Sequence, residues 1–436
     1  MKKLIFTYLL CAPFLLISQN MPICGYELLI ESYQKEIPHY KQSIDRAFEE
    51  AKAWSDNNST SSSQDTLLRL PVVVHVLYEN DQENISDAVI KSQIDVLNED
   101  FRRMNADTIN TRSVFDSIAG RSNFEFFLAT IDPNGNPTNG ITRTATTTQT
   151  FLEGFDMTDP YDDAMHSMKS PNTGGKLGWP NDKYINIWVC DITINGQVNL
   201  LGYATPPNNL PNWQRDPPTS ANEDGVVIHY ELFGRDATVN MGVPVAFLGR
   251  VTTHEMGHYL GLRHIWGDGL CDMDDGIDDT PFSSTNGQNS CNHDQNTCMD
   301  SPYNFPDMVE NFMDYSSPEC QNIFTKGQMG LMHGVLANQR IDLPVQTVGL
   351  KSYNHANFHL YPNPAKDLIH IKFDVAENQS KLQLIDVSGK IIWKKELNSN
   401  ELETLQLSTI NFARGIYFLQ YQTESNMNNV KKVILY

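Results

Sequence analysis

Thr253-His254-Glu255-Met256-Gly257-His258-Tyr259-Leu260-Gly261-Leu262-Arg263-His264 decides how this chain of 436 residues is read. Two histidines stand four apart, a glutamate follows the first, and Gly261 and His264 complete an HExxHxxGxxH pattern. On a helix, residues four apart share a face one turn apart, so His254 and His258 can aim at a common ion. Glu255 lies next round the helix and can reach a water on that ion without ligating it. Gly261 can take a positive φ, end the helix sharply and bring His264 back as third ligand. Three neutral imidazoles leave the fourth position of a tetrahedral Zn²⁺ to water, which a catalytic site requires and a structural site lacks. The segment from Val245 to Leu260, entered after Pro244, reads as the helix that carries them.

Chemistry follows from charge. Zinc brings the pKa of its water toward about 7 and polarises a peptide carbonyl. Glu255 then takes the water's proton as general base and delivers it to the leaving amine. No serine or cysteine nucleophile is needed. The competing class is a non-catalytic, zinc-containing surface binding protein. Glu255 weighs against it, because a binding module has no use for the base.

Upstream of this segment, Leu67 to Tyr78 is rich in β-branched residues and reads as a buried strand. Ser86-Asp87 caps an expected helix to about Met104, with Val89, Ile90, Ile94, Leu97 and Phe101 on one face. Further strands are expected at 124–131, 184–191 and 225–230. Strands interleaved with long helices indicate an α+β or α/β core over residues 66–345. After Val348 short alternating runs separated by turns describe a small all-β sandwich, 356–436.

The N-terminus has its own logic. Lys2-Lys3, the apolar run Leu4 to Ile17 and polar Ser18 have the shape of a secretory signal peptide, 1–18. Residues 19–65 follow as a prosegment and linker, with helical spacing of Tyr33, Ile37, Tyr40, Ile44 and Phe48, Pro38 marking a helix start, and a Ser-rich stretch from Asp56 to Asp65 of the kind proteases cut. Export permits disulfides. Cys271, Cys291, Cys298 and Cys320 form an even set with three possible pairings. Cys190 sits in an apolar run and reads as a small buried hydrophobe, while Cys24 stands alone near the new N-terminus. With 32 Lys+Arg against 53 Asp+Glu the net charge is −21, which excludes nucleic acid as a natural partner. No apolar run reaches the 18 residues of a membrane span.

The extended zinc motif, with Asn311-Phe312-Met313-Asp314-Tyr315-Ser316 about 50 residues on, resembles a metzincin with its Met-turn. Within that group HEMGHYLGLRHIWGDG, NFMDYSSPEC, YINIWVCDI and LLGYATPP are similar to the pappalysin family, in its ulilysin- and mirolysin-like members, over about residues 67–342. The resemblance implies a mixed sheet, an active-site helix and protein or peptide substrates. It implies Met313 as the floor under the zinc and Tyr315 as an oxyanion ligand. It also pairs Cys271 with Cys298 and Cys291 with Cys320. It puts Ca²⁺ in the acidic loop 271–281, with Asp275 and Thr280 at matching positions, and makes Cys24 a cysteine switch on the zinc of a zymogen. Arginine-preferring relatives carry two acidic residues where this chain has Ser317-Pro318, so that preference is not carried over. Leu360-Tyr-Pro-Asn-Pro, Leu384-Ile-Asp-Val-Ser-Gly-Lys390 and Gly415-Ile-Tyr-Phe418 resemble a type IX secretion sorting domain, which implies that export machinery as a partner and a secreted or cell-surface location.

Overall fold

The computed structural model describes residues 24–58, 67–156, 164–198, 200–210, 223–240, 244–284, 291–299, 304–345, 358–373, 380–387, 389–397, 404–422 and 428–436. The segment expected to be a signal peptide, 1–18, and most of the Ser-rich stretch lie outside the described residues. The chain divides into two compact units, Met1–Gln346 and Thr347–Tyr436.

In the first unit, β1 (Leu68–Tyr78) runs through the centre of a mixed sheet. The same β1 edge pairs in parallel with β2 (Phe124–Leu128) through residues 68–72, then with β3 (Ile141–Ala145) through residues 74–78. Its other edge pairs with β4 (Ile185–Cys190), and the order continues through β6 (Val226–His229) to β5 (Gly202–Ala204), the only antiparallel member of this sheet among the described residues. The near-continuous apolar run of β1 suits a strand buried on both faces. Among the side chains packed around it are Leu70, Val72, Val74 and Val76.

Helix α3 (Asp87–Phe101) begins as expected, with the Ser86 hydroxyl accepting from Val89 N, and buries Ile90, Ile94, Leu97 and Phe101. It stops at Phe101, three residues before Met104. In the N-terminal segment one helical periodicity resolves into two helices, α1 (Tyr26–Glu36) and α2 (Tyr40–Asn58), with Pro38 in the turn between them. The active-site helix is also shorter than its pattern. Pro244–Ala246 is strand β8, paired with β7 (Thr238–Asn240), and helix α4 spans only Arg250–Tyr259. Leu248 and Gly249 both take positive φ, +54° and +74°, which breaks any helix running in from Val245. Helix α5 (Lys326–Ala337) closes the unit, capped by reciprocal bonds between Thr325 and Gln328.

The C-terminal unit is the expected all-β sandwich. One sheet has the order β13 (Thr404–Ser408), β10 (Leu368–Phe373), β9 (Phe358–Tyr361). The other has β12 (Ile391–Leu397), β11 (Ser380–Asp386), β14 (Gly415–Gln422), β15 (Asn428–Leu435). Both sheets are antiparallel and contribute to one core, with Ile369 and Ile371 from the first and Leu382, Leu384, Leu419 and Tyr421 from the second.

Candidate active site

Helix α4 presents His254 and His258 on one face. Gly261, at φ +96°, then turns the chain so that His264 returns to them. Gly261 N donates to His258 O and Leu262 N to Gly257 O, so the last carbonyls of the helix are satisfied by the turn itself. His258 Nε2 lies 3.1 Å from both His254 Nε2 and His264 Nε2. Tetrahedral nitrogen ligands at about 2.0–2.1 Å from one ion stand roughly 3.3 Å apart, so the spacing suits zinc.

The opposite ring nitrogens are all engaged. Nδ1 of His254 meets Phe312 O at 2.7 Å, Nδ1 of His258 meets Leu262 O at 2.8 Å, and Nδ1 of His264 meets Asp268 Oδ1 at 2.7 Å. A carbonyl or carboxylate oxygen there demands N–H, which leaves each Nε2 as a lone pair for a metal. Burial, aided by the neighbouring rings, lowers His254 to about 3 and His258 well below its ordinary value. Both imidazoles are therefore neutral, as ligands must be. Burial alone would raise Asp268, but the adjacent His264 holds its carboxyl below the usual range.

Met313 is fully buried under the site. A Cβ on Gly257 would collide with its sulfur, which explains why the middle of the histidine motif carries glycine. Asn311 Oδ1 accepts from Met313 N and fixes the turn. The Tyr315 ring stands beside His264 and Trp266, each at 4.9 Å between centroids. Burial pushes Glu255 up to about 8, with a contact to Cys24 acting the other way.

Cys24 enters this same cluster. Its sulfur and one nitrogen of each of the three histidines lie within 4.8 Å of one another, all buried. The segment is held by an isolated parallel β-bridge between Cys24 and Gly202, with Gly25 N donating to Gly202 O on β5 and Cys24 N donating to the Tyr315 hydroxyl at 3.2 Å. Sequence reading missed the next residue but one, Tyr26, whose ring lies on His258. It also missed Asp268, although an acid four residues after a histidine ligand is a legible sign of a ring-orienting partner.

Beside the histidines an open pocket is lined by Phe247, Arg250, Val251, Ser316, Pro318 and Gln321, among others. Pro318 stands in its wall. The disulfides are Cys271–Cys298 and Cys291–Cys320, while Cys190 is a buried free thiol. In the acidic loop, Asp275 is fully buried and Thr280 Oγ1 donates to its Oδ1 at 2.7 Å. The Asp275 Oδ2 has no hydrogen-bond partner among the described residues, and burial raises the carboxyl to about 7.

Comparison with known proteins gives the geometry its relatives. The peptidase M43 family model, described as pregnancy-associated plasma protein-A, matches residues 175–337. Mature mirolysin of Tannerella forsythia, solved with a cleaved peptide, is 43% identical. The match covers 64% of this chain and 96% of mirolysin, with a TM-score of 0.54. The chain belongs to the pappalysin family of metalloproteases. A promirolysin mutant from the same organism is 40% identical over 74% of this pappalysin and 97% of its own chain, with a TM-score of 0.60. An extracellular metalloprotease of Arthroderma gypseum is 26% identical over 301 residues, 68% of this chain and 80% of the relative. Residues 359–436 match the C-terminal sorting domain of a secretion system, the type IX signal expected from the sequence. This pappalysin is accordingly secreted or held at the cell surface, and among the described residues no helix is long and apolar enough to cross a membrane.

Proposed function

We propose that this metalloprotease is a zinc endopeptidase made as a zymogen. The observation that carries the reading is the convergence of His254, His258 and His264 with Glu255 beside them and with all three Nδ1 atoms anchored. When bound, zinc supplies a Lewis acid that acidifies water and polarises a peptide carbonyl. Glu255 is the general base and proton carrier. Tyr315 is the oxyanion donor, and Met313 supports the histidine platform from below. A peptide lying along the free edge of β5 is held by main-chain hydrogen bonds, as the 24–25 segment is in this structure.

Latency is proposed to lie in that same segment. Cys24 supplies sulfur as fourth ligand and displaces water, its backbone occupies Tyr315, and removal of residues 19–65 frees both. Ca²⁺ is proposed for the 271–281 loop, with the unsatisfied buried oxygen of Asp275 as the supporting observation and Thr280 as a second oxygen donor. Residues 1–18 are proposed as a signal peptide.

The test is cleavage of a diverse peptide library by the activated chain and by its Glu255→Ala counterpart, read by mass spectrometry. Internal cuts by the parent alone are the expected result. A folded, zinc-loaded parent that cuts nothing would favour the binding protein instead.

A further inference from the structure

Helix α2 is seated far more intimately than a cysteine switch requires. Helix α5 turns a glycine face toward it. A Cβ on Gly334 would collide with the Ala51 carbonyl, and one on Gly330 with the Ser55 hydroxyl. Two helices whose backbones approach so closely gain dispersion contact along the whole crossing. At the other end of the contact, Phe48 packs on the acidic loop, where a Cβ on Gly276 would come within 2.9 Å of the ring. The guanidinium of Arg263, inside the zinc motif, lies 4.1 Å above the same ring and also pairs with Asp45 at 2.9 Å. Lys52 pairs with Asp278 at 3.1 Å, and Gln339 donates to Glu50 at 3.0 Å. Asp278 and Asp45 are largely exposed, and exposed pairs of this kind contribute little. The affinity therefore resides in the fully buried Ala51, Phe48 and the glycine face of α5.

From this we propose that the α5 glycine face and the 274–278 loop form a docking surface that retains residues 24–58 after the linker is cut. The helical hairpin then stays as a bound inhibitor, and release needs a second event, its own cleavage or displacement. This inference rests on the reading of 24–58 as a prosegment. It adds that covalent linkage is dispensable for latency, because the surface remote from the zinc supplies the hold.

The experiment uses the full chain carrying a site for a specific protease within residues 59–66, in the Glu255→Ala background so that the enzyme cannot digest its own hairpin. After the cut, gel filtration and native mass spectrometry follow the fragment. The expected result is co-elution with the catalytic unit. Gly334→Leu on one side and Ala51→Leu on the other should each speed release by roughly 30-fold, the effect of one interface hot spot. Gly334→Ala is a smaller step that guards against misfolding, with a graded increase expected, and zinc content checks that the site survives. A parent fragment that separates at once on cutting would overturn the proposal, as would Leu variants that release no faster. The reading of the segment as a prosegment fails differently. An uncut chain with Glu255 intact that already cleaves peptides at the activated rate would sink it, whatever the fragment does.

Discussion

The phenol ring of Tyr26 lies flat on the imidazole of His258, with centroids 4.0 Å apart and planes 11° apart. It also meets His264 edge-on at 6.0 Å. The N-terminal segment thus covers the histidine cluster with a ring as well as meeting it with a sulfur, and the two contacts are two residues apart in the chain.

Latency should accordingly break in two steps. Cys24→Ala in the uncut chain removes the proposed fourth ligand, and peptide hydrolysis should rise by about tenfold or more, the effect of roughly 1.4 kcal/mol. Tyr26→Ala in addition should raise it again. A fluorogenic peptide assay on uncut protein reads both, with gels to show that no cleavage has occurred. If Cys24→Ala stays as silent as the parent, the thiol is a bystander.

Glu255 is buried, and its Oε2 has no hydrogen-bond partner among the described residues. Its role is therefore not structural support. Glu255→Gln should keep zinc and thermal stability while turnover falls by about 10²–10⁴-fold, the range for one general acid–base group. Comparable turnover in the variant would assign the base elsewhere.

Much of this site was legible because its chemistry is local. Five residues of the HExxHxxGxxH motif supply the proposed ligands, base and turn within eleven positions, and α4 and Gly261 do what the spacing requires. The strand β1 and the cap at Ser86 were legible for the same reason. The start of α4 was not, because Val245 and Phe247 fit a helical stripe and nothing in the pattern announces positive φ at Leu248. Three-residue β5 carries no periodicity at all, yet it forms the edge on which Cys24 sits. Tyr26 and the α2–α5 contact depend on residues some 230 to 280 positions apart, which no local pattern can encode.

Of the three proposed zinc ligands only His264 lies outside helix α4, and its Nδ1 meets Asp268. Asp268→Asn keeps the shape but weakens the acceptor, and such orienting partners are worth about 10–100-fold in metal affinity. Zinc competition against a chromogenic chelator should show a loss in that range, with the fold unchanged. An unaltered affinity would mean that the helix turn alone positions His264.

Asp275 tests the calcium proposal. Ligand that binds only the folded state raises its stability by about 2.7 kcal/mol at a hundred times Kd. Calcium should therefore raise the Tm of the zinc-loaded chain by several degrees, and Asp275→Asn should abolish the shift while leaving the zinc content intact. A variant that still responds fully to calcium would place the ion elsewhere.

His75 offers a pH test away from the metal. It is fully buried in β1, with Nδ1 2.7 Å from Thr142 Oγ1 and Nε2 3.0 Å from Asn186 Oδ1. Burial lowers its pKa from 6.5 to about 4, against the opposing bond to Asn186. Above pH 6.5 the ring is neutral in both folded and unfolded chains and has no effect on the balance. As pH falls below 6.5 the unfolded chain takes the proton first, so stability is lost progressively until the folded ring titrates near 4. The shift corresponds to about 3 kcal/mol lost across that window. His75→Gln removes the titrating group, so urea unfolding at pH 8, 6, 5 and 4 should show the parent losing about that much more than the variant. The difference cancels the acid sensitivity of the zinc site, which both proteins share. Parallel curves would mean that the ring is charged in the fold, with Asn186 holding its proton.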